Sequence, residues 1–339
     1  MSNGETLRVA VIGAGLSGTV AARYLCDHGC EVTLFDKSRG TGGRLASCRL
    51  GDNSVDLGLP FFESAGVRFN RWLERQVEAG ILSHWYPSHQ LFNGDLIESP
   101  RVYAATARMS ALTRSLISDC HLISKKRISL VWPSREGISL RDEDNRLSGE
   151  FDAVLIATPA PQAVPLLDGV GRFRSRAAAV EVQPAWVTAL TLMEPLNSPV
   201  ELISGEHEVF HRLVRDSAKP GRQGADRWVL EARADWSRQH RRDSPDYVQH
   251  RMLTAFEDLL GPLPEISDIR THRWLYSHTQ GSETQLCLWG EDVCIGVCGD
   301  WFAGGGVEGA FESGLALAEK VMQSLTAGRP VEVEAEQTG

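Results

Sequence analysis

The first hydrophobic positions of the chain form a short continuous run that passes directly into a helical pattern. Residues 9–12 are all apolar, and apolar residues then recur at helical spacing over residues 16–28. Gly29 ends that pattern, and residues 31–36 form a second short run of strand-forming residues. A buried strand, an amphipathic helix and a second strand in this order predict a βαβ unit with parallel strands.

The middle of the chain changes to an alternation of apolar and polar residues, which is typical of antiparallel strands. Alternating runs dominate residues 161–285, and one amphipathic helix is predicted over residues 244–260. Continuous apolar runs at residues 152–159 and 293–298 flank this block and predict further buried strands. The pattern therefore predicts an α/β fold, in which a Rossmann-type domain with a parallel sheet carries a second α+β domain with a mostly antiparallel sheet.

The same change of pattern divides the chain into two interleaved domains. A length of 339 residues exceeds the size at which one hydrophobic core usually keeps growing, so two domains are expected. The segment after Gly328 is acidic and is predicted to be a disordered tail. We assign residues 1–66, 100–160 and 286–326 to a discontinuous nucleotide-binding domain, residues 67–99 and 161–285 to a substrate domain, and residues 327–339 to the tail.

Composition and charge exclude several classes of function. A formal net charge of −9 argues against nucleic-acid binding. No apolar stretch is long enough to span a membrane and residues 1–8 are too polar for a signal peptide, which predicts a cytoplasmic protein. The seven cysteines contain no C-x-x-C pair, so neither a metal site nor a dithiol motif is predicted.

A glycine-rich turn joins the first apolar run to the first helix, in the pattern G-x-G-x-x-G. Gly13 permits the tight turn, Gly15 lets the backbone approach a pyrophosphate, and Gly18 lets the helix pack against the sheet. Leu16 and Ser17 begin the helix, whose free N–H groups and dipole favour phosphate. This placement between a strand and a helix predicts a dinucleotide-binding site.

An acidic residue and a glycine pair follow at the end of the second predicted strand. Asp36 lies about 20 residues beyond the turn, where it is expected to accept hydrogen bonds from a ribose diol. The alternative is an exposed aspartate at a strand end. Lys37 comes next, and the sequence Gly42-Gly43-Arg44 follows it. Two glycines and a cation form a backbone and charge clamp for a diphosphate, whereas the alternative is a flexible polar loop.

Three motifs together resemble the FAD-dependent amine-oxidase superfamily, over most of the chain. They are the glycine-rich turn with its Gly-Gly-Arg extension, the strand end Ala157-Thr158-Pro159, and the pattern G-D-x(6)-V-E-G-A-x-x-S-G that begins at Gly299. Within this superfamily the chain looks most like the bacterial renalases. The closer similarities lie at residues 35–40, 56–58, 109–111, 156–162, 235–239, 272–276 and 297–301.

The resemblance implies noncovalently bound FAD and a set of residues around it. Asp300, at the end of a buried strand, is expected to hydrogen-bond the ribityl chain. A helix that starts at Val307 is expected to direct its N-terminus toward the flavin N1–C2=O edge, where reduced flavin carries negative charge. Besides the N-terminal residues already named, the implied cofactor contacts are Ile128, Thr158, Pro159, Gly299, Asp300, Val307, Glu308 and Ala310.

The resemblance also implies an activity. Renalases oxidise dihydronicotinamide nucleotides that carry the hydride at the 2- or 6-position of the ring to NAD(P)⁺, and O₂ then reoxidises the flavin with release of H₂O₂. Because the product ring becomes aromatic, no strong side-chain base is needed, and no catalytic group is assigned beyond the flavin N5. The implied partners are a reduced nicotinamide nucleotide and O₂, with no nucleic acid and no membrane.

Aromatic residues and one histidine are predicted to form the substrate pocket. Phe61 and Phe62 are expected to build an apolar wall over the flavin, while His272, Trp274 and Tyr276 alternate along a predicted strand and share one face. Aromatic residues on a strand face are more often core than pocket, so a core role is the alternative. His272 is a candidate proton shuttle for peroxide formation, or else a structural histidine.

Two departures from the renalase pattern change the predicted pocket and leave other functions open. Residues 58–63 read Gly-Leu-Pro-Phe-Phe-Glu where renalases carry Gly-Ala-Gln-Tyr-Phe-Thr, and residues 105–108 replace a Gly-x-Pro-Gly segment. An amine or other small-molecule oxidase on the same fold is the first alternative, although Arg270 and Arg273 stand where that family's water-binding lysine is expected. The others are a flavoprotein with a drifted, non-catalytic pocket and a nicotinamide dehydrogenase without flavin.

Three basic residues lie around a Pro-Gly pair in a predicted loop. Arg215, Lys219 and Arg222 could meet the phosphates of a substrate. Their loop position favours solvated cations, and that is the interpretation adopted for them.

Overall fold

A six-stranded, mostly parallel sheet and a seven-stranded, mostly antiparallel sheet carry the fold. The computed structural model describes residues 6–134, 137–279, 284–302 and 304–326. The strands in these residues are β1 (Arg8–Ile12), β2 (Glu31–Asp36), β3 (Cys48–Leu50), β4 (Asn53–Val55), β5 (Leu82–Trp85), β6 (His89–Leu91), β7 (Leu96–Ile97), β8 (Val102–Ala105), β9 (His121–Ser124), β10 (Ile128–Ser134), β11 (Gly137–Asp142), β12 (Leu147–Phe151), β13 (Ala153–Ile156), β14 (Val182–Leu192), β15 (Leu202–Ser204), β16 (Phe210–Arg215), β17 (Asp226–Ala232), β18 (Ile266–Thr279), β19 (Leu288–Gly290) and β20 (Ile295–Val297). The helices are α1 (Leu16–Asp27), α2 (Val67–Glu78), α3 (Ser110–Leu116), α4 (Ala160–Ala163), α5 (Gly171–Ala178), α6 (Ala234–Gln239), α7 (Pro245–Leu260) and α8 (Gly306–Thr326), with short 3-10 turns at Gly43–Leu45, Val164–Leu167 and Asp216–Ala218.

The parallel sheet has the strand order β19-β20-β13-β1-β2-β9. Strand β1 pairs in parallel with β2 and with β13, as the predicted βαβ unit requires, and the edge strand β19 runs antiparallel. Val9 and Val11 of β1 pack in a core with helices α1 and α8, whereas Ala10 and Ile12 pack on the opposite face with α5 and the β10-β11-β12 sheet. Burial on both faces accounts for the continuous apolar runs in these strands.

The antiparallel sheet has the order β18-β14-β17-β16-β15-β6-β7, in which the β15–β6 pair is parallel. Helix α7 covers one face of it, where Val248, Met252 and Phe256 share a core with Trp186 and Trp228. Residues on the opposite face line the cleft described below. The predicted fold class is therefore confirmed: an α/β fold with a Rossmann-type parallel sheet and a second domain built on a mostly antiparallel sheet.

The chain passes between the two sheets more than once. Strands β6 and β7 join the antiparallel sheet ahead of β14–β18, and β19 and β20 return to the parallel sheet. Helix α2 packs on the side of the parallel sheet, with the rings of Phe69 and Phe311 5.2 Å apart.

The exact domain boundaries stay a prediction, and the acidic tail at residues 327–339 lies outside the described residues. None of the helices in the described part of the chain combines the length and apolarity needed to cross a membrane.

Lys219 and Arg222 are buried, so their interpretation as solvated loop cations is wrong. The Lys219 ammonium donates to Asp216 Oδ1 at 2.7 Å and to Asp56 Oδ2 at 2.8 Å, and the Arg222 guanidinium contacts the same two carboxylates. These four side chains, the buried quartet, are at most 4% exposed. Arg215 is also ion-paired and only 17% exposed. The distant Asp56 and the neighbouring Asp216 thus together hold cations that the local sequence assigns to a solvated loop.

Candidate active site

The glycine-rich turn is shaped as its sequence predicts. Gly13 has a φ of +110°, and a Cβ there would lie 2.7 Å from the backbone oxygen of Ala157. A Cβ on Gly18 would lie 2.0 Å from the Gly13 oxygen, so this glycine allows α1 to pack closely against the turn. Gly15 precedes α1, and a Cβ there would meet nothing within 4 Å. The space beside Gly15 is therefore open to a ligand at the N-terminus of α1.

Asp36 and the glycine pair lie beside this turn. The Asp36 carboxylate accepts hydrogen bonds from the Ala14 N–H (2.8 Å) and the Ser38 N–H (2.7 Å). The Gly42 N–H donates to the Ala14 oxygen at 2.9 Å, and Gly42 and Gly43 both have positive φ, at 123° and 55°. Since each carboxylate oxygen has two lone pairs, Asp36 keeps acceptor capacity toward a ribose.

A cleft of about 970 Å³ runs along the strand ends of the parallel sheet and beneath the antiparallel sheet. It brings together every predicted cofactor residue except Gly18 and Glu308. Those that line it are Gly13, Gly15, Leu16, Ser17, Asp36, Lys37, Gly42, Gly43, Arg44, Ile128, Thr158, Pro159, Gly299, Asp300, Val307 and Ala310. Glu308 instead accepts a hydrogen bond from the Ala65 N–H at 3.0 Å.

The Thr158 hydroxyl shows whether the lining of the cleft fits a polar cofactor such as FAD. Its Oγ1 is buried and has no hydrogen-bond partner among the described residues, although Thr158 lines the cleft. Buried hydroxyls in proteins are normally hydrogen-bonded, so a polar group bound in the cleft would satisfy this one. Together with the open space at Gly15, the lining fits a long dinucleotide.

Arg44 and Asp300 form an ion pair across the cleft, which the sequence did not predict. Arg44 Nη1 and Nη2 donate to Asp300 Oδ2 and Oδ1 at 2.6 and 2.5 Å, and Nη1 also contacts the Ser277 oxygen at 3.3 Å. The predicted contact of Arg44 with a diphosphate would compete with this bidentate pair. The pair holds the Asp300 carboxylate in one orientation at the cleft wall.

Phe61 and Phe62 do not line the cleft but a smaller neighbouring cavity. Phe61 packs edge-on against Trp85, with ring centroids 5.8 Å apart, and Phe62 stacks on Tyr103 at 6.1 Å. The cavity measures about 350 Å³. This side cavity is lined by Leu59, Phe61, Phe62, Glu63, Arg212, Gly305, Gly306, Val307 and Glu308.

One transverse row of the antiparallel sheet lines the part of the cleft that contains the predicted substrate residue His272, and this part is called the substrate end below. The strand register places Val187 of β14 opposite both His272 of β18 and Glu231 of β17, and Glu231 opposite Arg212 of β16. All four residues line the cleft. Of this row, the sequence predicted His272 alone, because the pairing of strands cannot be read from local spacing.

Glu231 is a buried carboxylate held between a cation and an imidazole. Arg212 Nε donates to Glu231 Oε2 at 2.6 Å, and His278 Nε2 lies 3.1 Å from Oε1. Burial alone would raise the pKa of Glu231, but Arg212 and the hydrogen bond to His278 lower the pKa to about 2. Glu231 is therefore ionised at neutral pH. His278 also lines the cleft and was likewise not predicted as a site residue.

His272 and Trp274 lie two positions apart on β18 and meet edge to face, with ring centroids 4.6 Å apart. The Trp274 indole N–H donates to the Leu57 oxygen at 3.0 Å, which fixes the ring against the segment after β4. Burial, with a smaller contribution from Arg270, lowers the pKa of His272 below its ordinary value of 6.5. The imidazole is therefore neutral at neutral pH.

Strand β18 bulges beyond Trp274. Ala185 pairs with Trp274, but Gln183, two residues earlier on β14, pairs with His278. Residues 275–279 all line the cleft as a result. The predicted alternation of side chains along the strand holds for His272 and Trp274. Tyr276 lines the cleft as part of the bulge.

Two family models match the chain. A model described as flavin containing amine oxidoreductase matches residues 88–322, and an NAD(P)-binding Rossmann-like domain model matches residues 11–75. Together these matches cover both the N-terminal turn and the segments that form the rest of the cleft.

Curated relatives share a short segment with the chain. A flavin-containing monooxygenase, ustF2, of Aspergillus flavus is 51% identical over 43 residues, 13% of this chain and 9% of that protein. A 4,4'-diapophytoene desaturase of Staphylococcus aureus is 38% identical over 52 residues, 15% of this chain and 10% of that protein. The chain thus matches only about a tenth of the length of these relatives.

A solved structure shares the fold over nearly the whole chain. It is a crystal structure from Exiguobacterium sp. 255-15, provisionally named a protoporphyrinogen oxidase, and it aligns with a TM-score of 0.73 at 13% identity. The alignment covers 95% of this chain and 99% of the other. At this identity the likeness shows the fold alone.

Proposed function

Because the chain belongs to the flavin containing amine oxidoreductase family, we propose that it is an FAD-dependent oxidase of dihydronicotinamide nucleotides that carry the hydride at the 2- or 6-position. Bound FAD would accept the hydride and return two electrons to O₂. One dihydronicotinamide, one O₂ and one proton then give one NAD(P)⁺ and one H₂O₂. The renalase-like residues at the substrate end support this substrate class.

The residues of the cleft divide the binding of FAD among them. The N–H groups at the start of α1, beside Gly15, would hold the diphosphate. Asp36 would accept hydrogen bonds from the ribose, and Thr158 Oγ1 would bond a polar group of the cofactor. Asp300, oriented by Arg44, would accept from the ribityl hydroxyls.

The observation that carries the proposal is the weakness of the bases at the substrate end. Glu231 is held by Arg212 and His278 with a pKa of about 2, and burial lowers the pKa of His272. A dihydropyridine becomes aromatic when it loses hydride, so its ring needs no proton removal. An aliphatic amine has a pKa of about 10.4, like lysine, and must first lose a proton. The site therefore suits the dihydropyridine better than the amine.

One feature favours an amine or other cationic substrate as the second candidate. Glu63 and Glu308 both line the side cavity next to the substrate end. Two carboxylates at its wall would attract a cation. Amine oxidation is therefore the alternative to be tested in parallel.

The test is an anaerobic mixing experiment with the FAD-loaded protein. Isomeric dihydronicotinamides from borohydride-reduced NAD⁺ are mixed with it, and loss of the flavin's visible absorbance is followed beside a panel of amines. We expect rapid bleaching by the isomers alone, with recovery and H₂O₂ release when air is admitted. Bleaching by amines alone would replace the proposal with amine oxidation. No bleaching by either set would favour a non-catalytic flavoprotein.

A further inference from the structure

Arg212 stands at the boundary between the cleft and the side cavity. It lines both, as do Leu59, Gly306 and Val307. Its side chain is only 12% exposed. A ligand at the junction would meet the guanidinium directly.

The guanidinium is held at one end and available at the other. Its Nε donates to Glu231 Oε2 at 2.6 Å, and the ring of Phe61 covers one face, with Cζ 5.2 Å from the ring centroid. Among the described residues, none accepts a hydrogen bond from Nη1 or Nη2. Arginine has five N–H donors, so four of them remain for a ligand. Because the Arg212 side chain is only 12% exposed, an acceptor that meets these donors replaces little water.

The charges around Arg212 select the kind of acceptor. Glu231 is ionised and offsets the charge of Arg212, and Glu63 and Glu308 add carboxylates at the wall of the side cavity. An anionic ligand bound here would be repelled by the carboxylates of Glu231, Glu63 and Glu308. Glu231 also retains lone pairs that can accept a hydrogen bond from a ligand. The surroundings therefore suit a neutral group with an acceptor oxygen and a donor N–H side by side.

We propose that Arg212 and Glu231 form a subsite for the carboxamide of the substrate ring. The Nη groups of Arg212 donate to the carboxamide oxygen, and the carboxamide N–H donates to the Glu231 carboxylate. His278, bonded to the other oxygen of Glu231, positions that carboxylate. This inference rests on the proposed function and deepens it: the substrate ring is a nicotinamide, and the corresponding nicotinic acid is rejected.

The test compares two small ligands that differ at this group. Nicotinamide and nicotinate are titrated into the FAD-loaded protein at neutral pH, and the shift of the flavin's visible spectrum yields a dissociation constant for each. We expect nicotinamide to bind at least about 10-fold more tightly, as a site built to hydrogen-bond one group rejects an analogue that cannot pair with it. Equal or tighter binding of nicotinate, or no spectral shift with either ligand, would overturn the proposal.

Variants connect the preference to the subsite. Arg212→Met is expected to weaken nicotinamide binding by about 10-fold, because the carboxamide oxygen loses its donors, and Glu231→Gln, which keeps the shape of the side chain, is expected to strengthen nicotinate binding by about 10-fold. Arg273→Met is the matched control, because Arg273 also lines the cleft but donates to the Arg241 oxygen and lies over Trp186. It should leave the ratio unchanged. Unchanged nicotinamide binding in Arg212→Met, together with an unchanged preference in Glu231→Gln, would place the carboxamide elsewhere.

Failure of this inference can be told apart from failure of the proposed function. If dihydronicotinamides do not bleach the flavin but nicotinamide still binds in an Arg212-dependent way, the subsite stands and the oxidase proposal falls. If reduced nicotinic acid nucleotides bleach the flavin as fast as the amides, the subsite falls and the oxidase proposal stands.

Discussion

Replacement of Lys219 by methionine removes one of the two cations of the buried quartet and keeps a side chain of similar length. Asp56 and Asp216 are then left with Arg222 alone, so one negative charge is uncompensated where the side chains are 0% exposed. Removal of one partner from a buried ion pair costs about 3–5 kcal/mol. Total stabilities are of the order of 5–15 kcal/mol, so the loss is a large part of the free energy of unfolding.

The measurement is urea unfolding of the FAD-loaded protein, followed by tryptophan fluorescence. Arg172→Met is the control: Arg172 Nη2 lies 2.8 Å from Asp292 Oδ1, as Lys219 Nζ does from Asp56 Oδ2, but its pair is 59% and 67% exposed. An exposed pair contributes at most about 1 kcal/mol. If Lys219→Met lowers the free energy of unfolding by no more than Arg172→Met does, burial is not the reason why the quartet stabilises the fold. The double variant D216N/K219M restores neutrality and should recover part of the loss.

The pH dependence of Lys219→Met checks the same reasoning. Burial alone would raise the pKa of Asp56, but Lys219 and Arg222 outweigh it and hold the pKa below its ordinary 3.8. In the wild type this stability is present above the unfolded-state pKa and is lost as the pH falls through the folded-state pKa. Without Lys219 the pKa of Asp56 rises, so the deficit in the free energy of unfolding relative to the wild type should shrink between about pH 7 and about pH 5. A deficit that stays constant over this range contradicts the assignment to an unpaired charge.

Three further predictions concern the cleft. Gly18→Val places a Cβ 2.0 Å from a backbone oxygen, so FAD should be lost on gel filtration, whereas the control Gly171→Ala, with nothing within 4 Å, should retain it. Asp300→Asn breaks the bidentate pair with Arg44 and should weaken FAD binding by about 10- to 100-fold, measured by titration of the apoprotein; unchanged affinity would contradict a role of the pair. Because burial lowers the pKa of His272 below 6.5, any step in the rate of flavin reduction that depends on His272 should be centred below pH 6.5, and a step at higher pH that His272→Gln removes would contradict this.

The end of the cleft at the glycine-rich turn and Asp36, the proposed cofactor end, has a backbone shape that was largely predictable because its motifs are contiguous in the sequence. The positive φ of Gly13 and the close approach at Gly18 are backbone requirements that only glycine meets, so the residue types themselves signal the turn. Asp36 follows a strand at a spacing set by one βαβ unit. Strand, turn and helix are all local, and tertiary contacts did not need to be known.

The substrate end was mostly not predictable, for a physical reason. Arg212 and Glu231 are 19 residues apart, and only the antiparallel register places them opposite each other. A shift of one residue in either strand would send that strand's side chain to the other face and separate the pair. Phe61 and Phe62 show the same limit: their sequence neighbours resemble a flavin-pocket segment, yet they line the side cavity.

The buried quartet illustrates how sequence separation misleads an interpretation of charge. Lys219 meets Asp56 across 163 residues, and of its two carboxylate partners only Asp216 lies near it in sequence. A lysine in a predicted loop is solvated by default, because only a partner from elsewhere can offset its desolvation. The information needed was the position of the carboxylates in space, which neither composition nor periodicity contains.

The separation of the cleft into two differently built ends has a consequence for function. The cofactor end is formed by backbone and glycine motifs of the parallel sheet, and the substrate end by single side chains from four strands of the other sheet. A substitution in the transverse row is therefore expected to change substrate recognition without altering the contacts proposed to hold FAD. We expect Arg212 and Glu231 variants to keep wild-type FAD affinity while their ligand preference changes, and Gly18 and Asp300 variants to lose FAD first. If FAD affinity and ligand preference change together in all four, the two ends are coupled and the substrate end does not vary independently.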